Sequence, residues 1–244
     1  MAIPKVIVQT HRDPAIGASE RRTWQQMNPE FEYRFFTDAD CLRFLQQSMP
    51  RLVGVYQKLP KAVQKADLFR YAYIYFHGGV YADVDTICAA PLSSYIDFEQ
   101  DTMVVGVEMT PETFKFTPQQ YTQQYISPFQ VLQWAFAASP KHLALGVMLD
   151  RIRFYVESFS AEQLQTWSRV DRFTLETTGP MMFSQVIHDC LSGSRNAKVT
   201  LLDQLSWGYN PWHNQAVDLP NERVKLRHLF HGSWKQANEQ LASQ

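Results

Sequence analysis

The chain has 244 residues, 45% of them hydrophobic, with 23 basic against 24 acidic side chains. That length suffices for one well-buried α/β domain, or for a core domain carrying a helical insertion. The near-neutral balance excludes a global attraction to nucleic acid or to anionic membranes, so any anionic ligand has to be gripped locally.

In chain order, residues 6–8 form a short apolar run of the kind found in buried parallel strands, and the polar turn "THRDPAIG" follows it. Residues 19–27 predict a helix that stops before Asn28-Pro29, because the residue preceding proline disfavours helical backbone. "FEYRFF" alternates like a strand, and Thr37 with Asp40 three residues on predicts a capping box opening a helix through about Gln47. This β-α-β-α start implies a sheet with helices on its faces. Residues 61–77 predict a further helix, with Gly78 or Gly79 as its left-handed stop. A strand is expected at 80–84 and another at 103–107. The Thr-, Gln- and Pro-rich stretch 109–127 predicts a long surface loop, a length that in compact domains points to function or disorder. Two helices are expected between Val131 and Trp167, a third after Gly179-Pro180, and a short strand at 199–202. The three cysteines, Cys41, Cys88 and Cys190, have neither disulfide-framework nor metal-type spacing and suit a reducing compartment. With no charged-then-apolar leader and no run of about 18 apolar residues, the expectation is a cytoplasmic protein without a transmembrane segment, for which peripheral membrane association stays open.

The chemistry concentrates in "FHGGVYADVDT" at 76–86. On a strand, Asp83 and Asp85 point to the same face while Val84 enters the core, and Tyr81 shares the aspartates' face. If the strand ends there, both carboxylates emerge at the carboxyl edge, where open α/β sheets bind ligands. Converging carboxylates repel unless a proton or cation lies between them, and a hard divalent ion, Mn²⁺ or Mg²⁺, is the direct solution. Asp67 and Arg70 are i,i+3 neighbours on the preceding helix; as a buried pair they could hydrogen-bond a polyol, Asp accepting and Arg donating, or they could form an ordinary exposed ion pair. A surface-loop role is expected for Asp171 and Glu176, and a structural one for His188 and Asp189.

"IPKVIVQTHRD", "NPEFEYRFFTDAD", "LPKAVQKADLFRYAYIYFHGGVYADVDT", "TTGP" and "HLFHGSW" occur in an order that resembles the DXD-containing glycosyltransferases of family 32. That family includes initiating α-mannosyltransferases and bacterial polysaccharide-assembly enzymes, and it is similar to the large clostridial glucosylating toxins. The resemblance implies a GT-A-type fold: a Rossmann-like central mixed sheet flanked by helices, with a helical and loop insertion for the acceptor. In these terms residues 1–108 would be the nucleotide-sugar-binding half, 109–175 the acceptor loop and helices, and 176–244 the part closing the metal and diphosphate site of a single domain. The resemblance further implies a UDP- or GDP-sugar donor, Mn²⁺ or Mg²⁺, retention at the anomeric carbon, and a carbohydrate, lipid-linked or protein acceptor, with no nucleic acid partner.

By the same resemblance, Asp83 and Asp85 contact metal and ribose or sugar, Asp67 and Arg70 hold donor-sugar hydroxyls, and Val8, Gln9 and Thr10 receive the base. His228, Ser233 and Trp234 complete the metal and diphosphate site, with His231 as the alternative histidine. A departing nucleoside diphosphate gathers negative charge, which a bridging metal stabilises by Lewis acidity, and the Trp234 N–H and Lys235 could donate to the same phosphates. Here Val8-Gln9-Thr10-His11 stands where the family often has His-Gln-Thr-Trp, which leaves base recognition undetermined. Two other readings compete. "DVDT" resembles the D-x-D-x-T of haloacid-dehalogenase-type phosphohydrolases, although threonine comes one residue early and no downstream paired-aspartate loop appears. A nucleotide-sugar-binding module without activity is the other.

Overall fold

The computed structural model describes residues 1–114, 117–125, 127–193, 197–209 and 218–231. The chain opens β1 (Val6–Thr10), α1 (Ala18–Met27), β2 (Glu32–Phe36), α2 (Asp38–Ser48), α3 (Val53–Lys58), α4 (Ala62–His77), β3 (Gly79–Ala82), β4 (Thr86–Cys88). It continues β5 (Met103–Met109), α5 (Pro118–Gln124), β6 (Gln130–Ala138), α6 (Leu143–Ser158), α7 (Ala161–Trp167), α8 (Asp171–Thr177), α9 (Pro180–Leu191), β7 (Thr200–Leu202), α10 (Gln204–Trp207) and β8 (Leu226–His228). Six strands form one sheet in the order β2-β1-β3-β6-β5-β7, and β4 pairs with β8 in a separate ribbon. Within the large sheet β6 alone is antiparallel to its neighbours, so β1, β3 and β5 all end at the same edge.

Local sequence explains the elements that fix that edge. β1 is buried on both faces, as a central parallel strand requires. Thr37 and Asp40 close the expected capping box at the start of α2. From Asp67 to Ile74 every residue of α4 is buried, so this helix is enclosed by the sheet on one side and by neighbouring helices on the other. It ends at Gly78, whose φ is 73°, and a Cβ there would sit 2.6 Å from Pro4 and 2.7 Å from Pro140. Gly79 has φ 115° and would place a Cβ 2.7 Å from the Val6 carbonyl oxygen, so both glycines are needed for the chain to turn directly from helix into strand. The main core, on the α4 face, joins Tyr71, Tyr81, Phe136 and Phe183 with α2, α6 and α9; a second core around Trp24, Ile7, Trp134 and Trp207 lies on the opposite face.

Four expectations need correction. Residues 131–138 were expected to be helical but form β6, a strand in the middle of the sheet. "VLQWAFAA" is apolar almost throughout, and a strand buried on both faces lacks the alternation that would distinguish it from a buried helix. The predicted strand 80–84 ends at Ala82, leaving Asp83, Val84 and Asp85 in a turn before β4. The 109–127 loop contains α5, opened by a Thr117–Gln120 capping box. Asp171 and Glu176, expected in a surface loop, belong to α8, where Asp171 pairs with Lys61 and Glu176 with Arg172.

Candidate functional site

The turn carrying the aspartates is tied down from several directions. The Asp83 N–H donates to the Trp134 carbonyl at 2.7 Å, continuing the β3–β6 ladder one residue past the strand. The Asp83 carbonyl accepts from the Gln9 side chain at 2.9 Å and from the Thr86 hydroxyl. Val84 is buried against Gly17, where a Cβ would lie 2.5 Å from the Val84 carbonyl oxygen. Because the intervening residue is anchored inward, Asp83 and Asp85 diverge to two different partners.

Asp83 turns toward α4. Its Oδ1 accepts from the Tyr81 hydroxyl at 2.7 Å and lies 3.1 Å from Arg70 Nη2, which also lies 3.3 Å from Asp67 Oδ1. The guanidinium packs over the Tyr81 ring at 4.6 Å, and Nη1 donates to the Gln133 carbonyl at 3.0 Å. Among the described residues Arg70 Nε has no hydrogen-bond partner. Asp67 is fully buried and accepts from Thr178 Oγ1 at 2.7 Å and from Gln133 Nε2 at 3.3 Å. Tyr71 closes the network with its hydroxyl between the Gln133 side chain and the Thr178 carbonyl.

Asp85 turns toward β8. Its Oδ1 is 3.3 Å from His228 Nε2, its Oδ2 accepts the His231 backbone N–H at 3.2 Å, and its carbonyl accepts from Leu229 N–H at 2.8 Å. The Phe230 N–H donates to His228 Nδ1 at 2.9 Å, which leaves Nε2 as the ring nitrogen facing the carboxylate. One ligand atom from each of Asp83, Asp85 and His228 lies within 4.8 Å of the others. Two carboxylate oxygens and an imidazole nitrogen make a donor set suited to a divalent ion of the Mn²⁺ or Mg²⁺ kind, with positions left for ligand oxygens. His231 contributes its main chain to Asp85, and its side chain is not part of this cluster.

The electrostatics divide the site. Burial pushes Asp67 up to about 6 against the opposing pull of Arg70 and Thr178. Burial also raises Asp83, with Arg70 opposing and Asp85 adding to the rise. Asp85 shows the opposite balance: burial acts to raise it, but the His228 hydrogen bond and charge and the His231 N–H outweigh that effect and hold it below the usual carboxylate range. Arg70 is lowered by burial but raised further by Asp83, the Tyr81 phenol and Asp67, so it stays charged. The site therefore offers a fixed guanidinium beside two carboxylates with different proton affinities.

The other residues singled out from sequence fall into place as follows. Val8 and Gln9 are buried, Val8 in the main core, while Gln9 holds the Asp83 carbonyl and accepts from the Tyr33 hydroxyl at 2.9 Å. The Thr10 hydroxyl donates to the Phe36 carbonyl at 2.8 Å. Ser233, Trp234 and Lys235 lie outside the described residues. His188 Nε2 donates to the Phe129 carbonyl at 2.9 Å and Asp189 pairs with Arg151, neither of them part of the aspartate cluster. Sequence reading missed Gln133 and Trp134. The signal was present, since Gln133, the one polar residue in the otherwise apolar run 131–138, needs a buried partner. The Trp134 and His228 rings pack with centroids 4.9 Å apart, tilted by 44°.

Residues 18–102 match the family described as glycosyltransferase sugar-binding region containing DXD motif. The chain carries the sugar-binding region of the DXD-containing glycosyltransferases. The chain is 26% identical over 260 residues to an initiation-specific alpha-1,6-mannosyltransferase of Schizosaccharomyces pombe, covering 96% of this chain and 64% of the relative. A protein of the same description from Candida albicans is 22% identical over 285 residues, covering 95% and 72%. Inositol phosphoceramide mannosyltransferase 3 of S. pombe is 29% identical over 100 residues, covering 40% of this chain and 28% of that one. Among solved structures, PaToxG glycosyltransferase superposes with a TM-score of 0.52 at 14% identity, over 80% of this chain and 72% of that one. The fold is that of the GT-A glycosyltransferases, and the DXD turn sits at the sheet edge where β1, β3 and β5 end.

Proposed function

We propose that this protein transfers a hexosyl group from a nucleoside-diphosphate sugar to a hydroxyl of a glycan, lipid-linked or protein acceptor, in a metal-dependent reaction with retention. The observation that carries the reading is the junction at Asp83: one aspartate belongs at once to a divalent-ion cluster with Asp85 and His228 and to a buried Arg70–Asp67 pair able to hold sugar hydroxyls. A nucleoside-diphosphate sugar presents diphosphate oxygens and a polyol side by side, and this arrangement addresses both.

In this reading Asp83, Asp85 and His228 would hold Mn²⁺ or Mg²⁺, which when bound supplies Lewis-acid stabilisation of the departing diphosphate. Arg70, fixed by Asp67, Asp83 and the Gln133 carbonyl, orients the sugar at no reorganisation cost during the reaction. Tyr81 and Gln9 hold the Asp83 side chain and main chain, so that the carboxylate direction is set before the donor arrives. Thr10 and the turn after β1 are the proposed base-binding region, with the Val8 and Gln9 side chains shaping it from inside. Ser233, Trp234 and Lys235 are proposed to face the diphosphate. Retention and the three-part division of labour along the chain rest on the family resemblance.

The relatives' names favour mannose as the sugar, so GDP-mannose heads the donor screen, with UDP-sugars beside it. A cytoplasmic setting is part of the proposal, supported by the buried cysteines Cys41, Cys88 and Cys190, none of them in a disulfide. No described helix is long and apolar enough to cross a membrane. A thermal-shift screen of GDP- and UDP-sugars with and without Mn²⁺, followed by donor hydrolysis, tests the function. Metal-dependent stabilisation and turnover of a donor are expected. Stabilisation without turnover would make it a binding module, and phosphomonoester hydrolysis with no response to any nucleotide sugar would replace it with a phosphohydrolase.

A further inference from the structure

Glu108 is an acidic residue near the end of β5, in the run "MVVGVEM", at the same sheet edge as the DXD turn. The β5–β6 ladder is interrupted twice here, once before Val107 and once across Glu108. Val105 pairs with Phe136, Val107 with Val131 and Met109 with Gln130, so the register shifts twice within five residues. Bulges re-aim side chains, and they are over-represented next to active sites. Gln133 reaches Asp67 on the α4 face, while Trp134 lies on the opposite face in the second core. Gly106 allows this crowding, since a Cβ there would lie 2.9 Å from both Leu132 and Trp207.

The Trp134 indole links Glu108 to the metal cluster. Its Nε1–H donates to Glu108 Oε1 at 3.2 Å, and its ring packs at 4.9 Å from that of His228, whose Nε2 faces Asp85 at 3.3 Å. Glu108 is half-buried, and no lysine or arginine among the described residues pairs with it. Burial raises its proton affinity, His228 and the Trp134 hydrogen bond opposing. One carboxylate oxygen is satisfied by the indole. The other has no hydrogen-bond partner among the described residues and is not sealed from solvent. A carboxylate kept half out of water without a counter-ion is costly and adds nothing to the core.

We propose that Glu108 is the positioning residue for the incoming nucleophile, its open oxygen accepting a hydrogen bond from the acceptor hydroxyl, or from water in donor hydrolysis. The proposal rests on the glycosyltransferase reading above. It completes the division of the edge: Arg70 and Asp67 on one side for the donor sugar, the Asp83–Asp85–His228 cluster in the middle, and Glu108 beyond the Trp134 and His228 rings for the acceptor. In the step, the acceptor oxygen bonds to the anomeric carbon while the bond from that carbon to the phosphate oxygen breaks. Its electron pair leaves with the nucleoside diphosphate, and the hydroxyl proton passes along its hydrogen bond to Glu108, which releases it to solvent after the product leaves.

Glu108→Gln separates this role from a structural one. The Trp134 N–H requires an acceptor, so the amide carbonyl will face the indole and the NH₂ will occupy the open side, replacing an acceptor with a donor while keeping the contact that supports the His228 ring. The test compares wild type, Glu108→Gln and Glu108→Ala with GDP-mannose and UDP-glucose in the presence of Mn²⁺. It measures kcat for donor hydrolysis and for transfer to methyl α-D-mannoside, the Kd of Mn²⁺ with GDP or UDP, and thermal stability. Glu108→Gln is expected to lower kcat at least tenfold with Kd within threefold of wild type and an unchanged melting temperature. Full activity in Glu108→Gln overturns the proposal. So does a loss of Mn²⁺–nucleotide affinity equal to the loss of turnover, which would assign the residue to the metal cluster. Wild-type protein that turns over neither donor overturns the transferase reading, and the Glu108 role with it.

Discussion

Asp67→Asn should make the protein more stable and less active. In the folded chain Asp67 is fully buried, and its affinity for a proton is raised to about 6 even with Arg70 3.3 Å away. An unfolded aspartate titrates near 3.9, so the folded state holds the proton more tightly between about pH 4 and 6. In that window the native state binds more protons than the unfolded state, so stability falls as pH rises, by up to about 1.4 kcal/mol per unit, and the loss is complete above pH 6. Two units give on the order of 3 kcal/mol at neutral pH. Asparagine is neutral at every pH, retains an acceptor for Arg70 and Gln133, and its NH₂ can donate to a reoriented Thr178 hydroxyl. The variant should therefore gain up to about 3 kcal/mol at pH 7.5, a rise of roughly 5–10 °C in melting temperature for a chain of this size. Comparing urea denaturation of both proteins from pH 5 to 8 isolates Asp67 from Asp83 and Asp85, which titrate in both. Donor turnover should fall at least tenfold in the same variant, because the carboxylate that fixes Arg70 and accepts from the sugar is gone. A variant less stable than wild type at pH 7.5 would refute the reasoning and show that attraction to Arg70 exceeds the cost of burying the charge.

Other substitutions probe the supports of the site. Thr178→Val removes the 2.7 Å hydrogen bond to Asp67 and should cost about 1–3 kcal/mol in denaturant unfolding at pH 7.5, with a smaller cost at pH 5, where Asp67 is largely protonated. Gly17→Ala forces a side chain into φ 66° and against the Val84 carbonyl, so it should destabilise by about 1–2 kcal/mol from the backbone alone. By shifting the Asp83–Asp85 turn it should also weaken Mn²⁺–nucleotide affinity measured by calorimetry; unchanged affinity would show that the turn is set elsewhere. His228→Ala should weaken that affinity by about 10–100-fold, the range found even for groups one step removed from a metal, while His231→Ala, which keeps its backbone N–H, should match wild type.

The sequence carried the local parts of this site and concealed the long-range ones. Asp67 and Arg70 are one helical turn apart, so their shared face follows from spacing alone, and the helix stop at Gly78-Gly79 follows from glycine's access to positive φ. The capping box at Thr37 is likewise a four-residue signal. The environment that sets the proton affinity of Asp67 comes from Gln133 and Thr178, 66 and 111 residues away. No local pattern encodes those distances, and β6, which delivers Gln133, resembles a buried helix because both of its faces are covered. The aspartates were expected at the end of a strand over 80–84 that follows the glycine stop of the helix, but that strand ends at Ala82 and Val84 turns inward against Gly17. That inward anchor, rather than strand alternation, is what lets Asp83 and Asp85 serve separate partners. Glu108 and Trp134 gave no sequence signal of their relation, because the double register shift that brings them together exists only once β5 and β6 pair.

The central claim is that the DXD turn is the divalent-ion and diphosphate site of a sugar transferase, and Asp85→Ala tests it most directly. The substitution removes the carboxylate shared by the metal cluster and β8, while the turn's backbone anchors at Asp83 and the Asp85 carbonyl remain. With Mn²⁺ present, nucleotide-sugar hydrolysis should be abolished in Asp85→Ala while far-UV circular dichroism and the cooperative thermal transition are kept. Wild-type levels of metal-dependent hydrolysis in that variant would contradict the account.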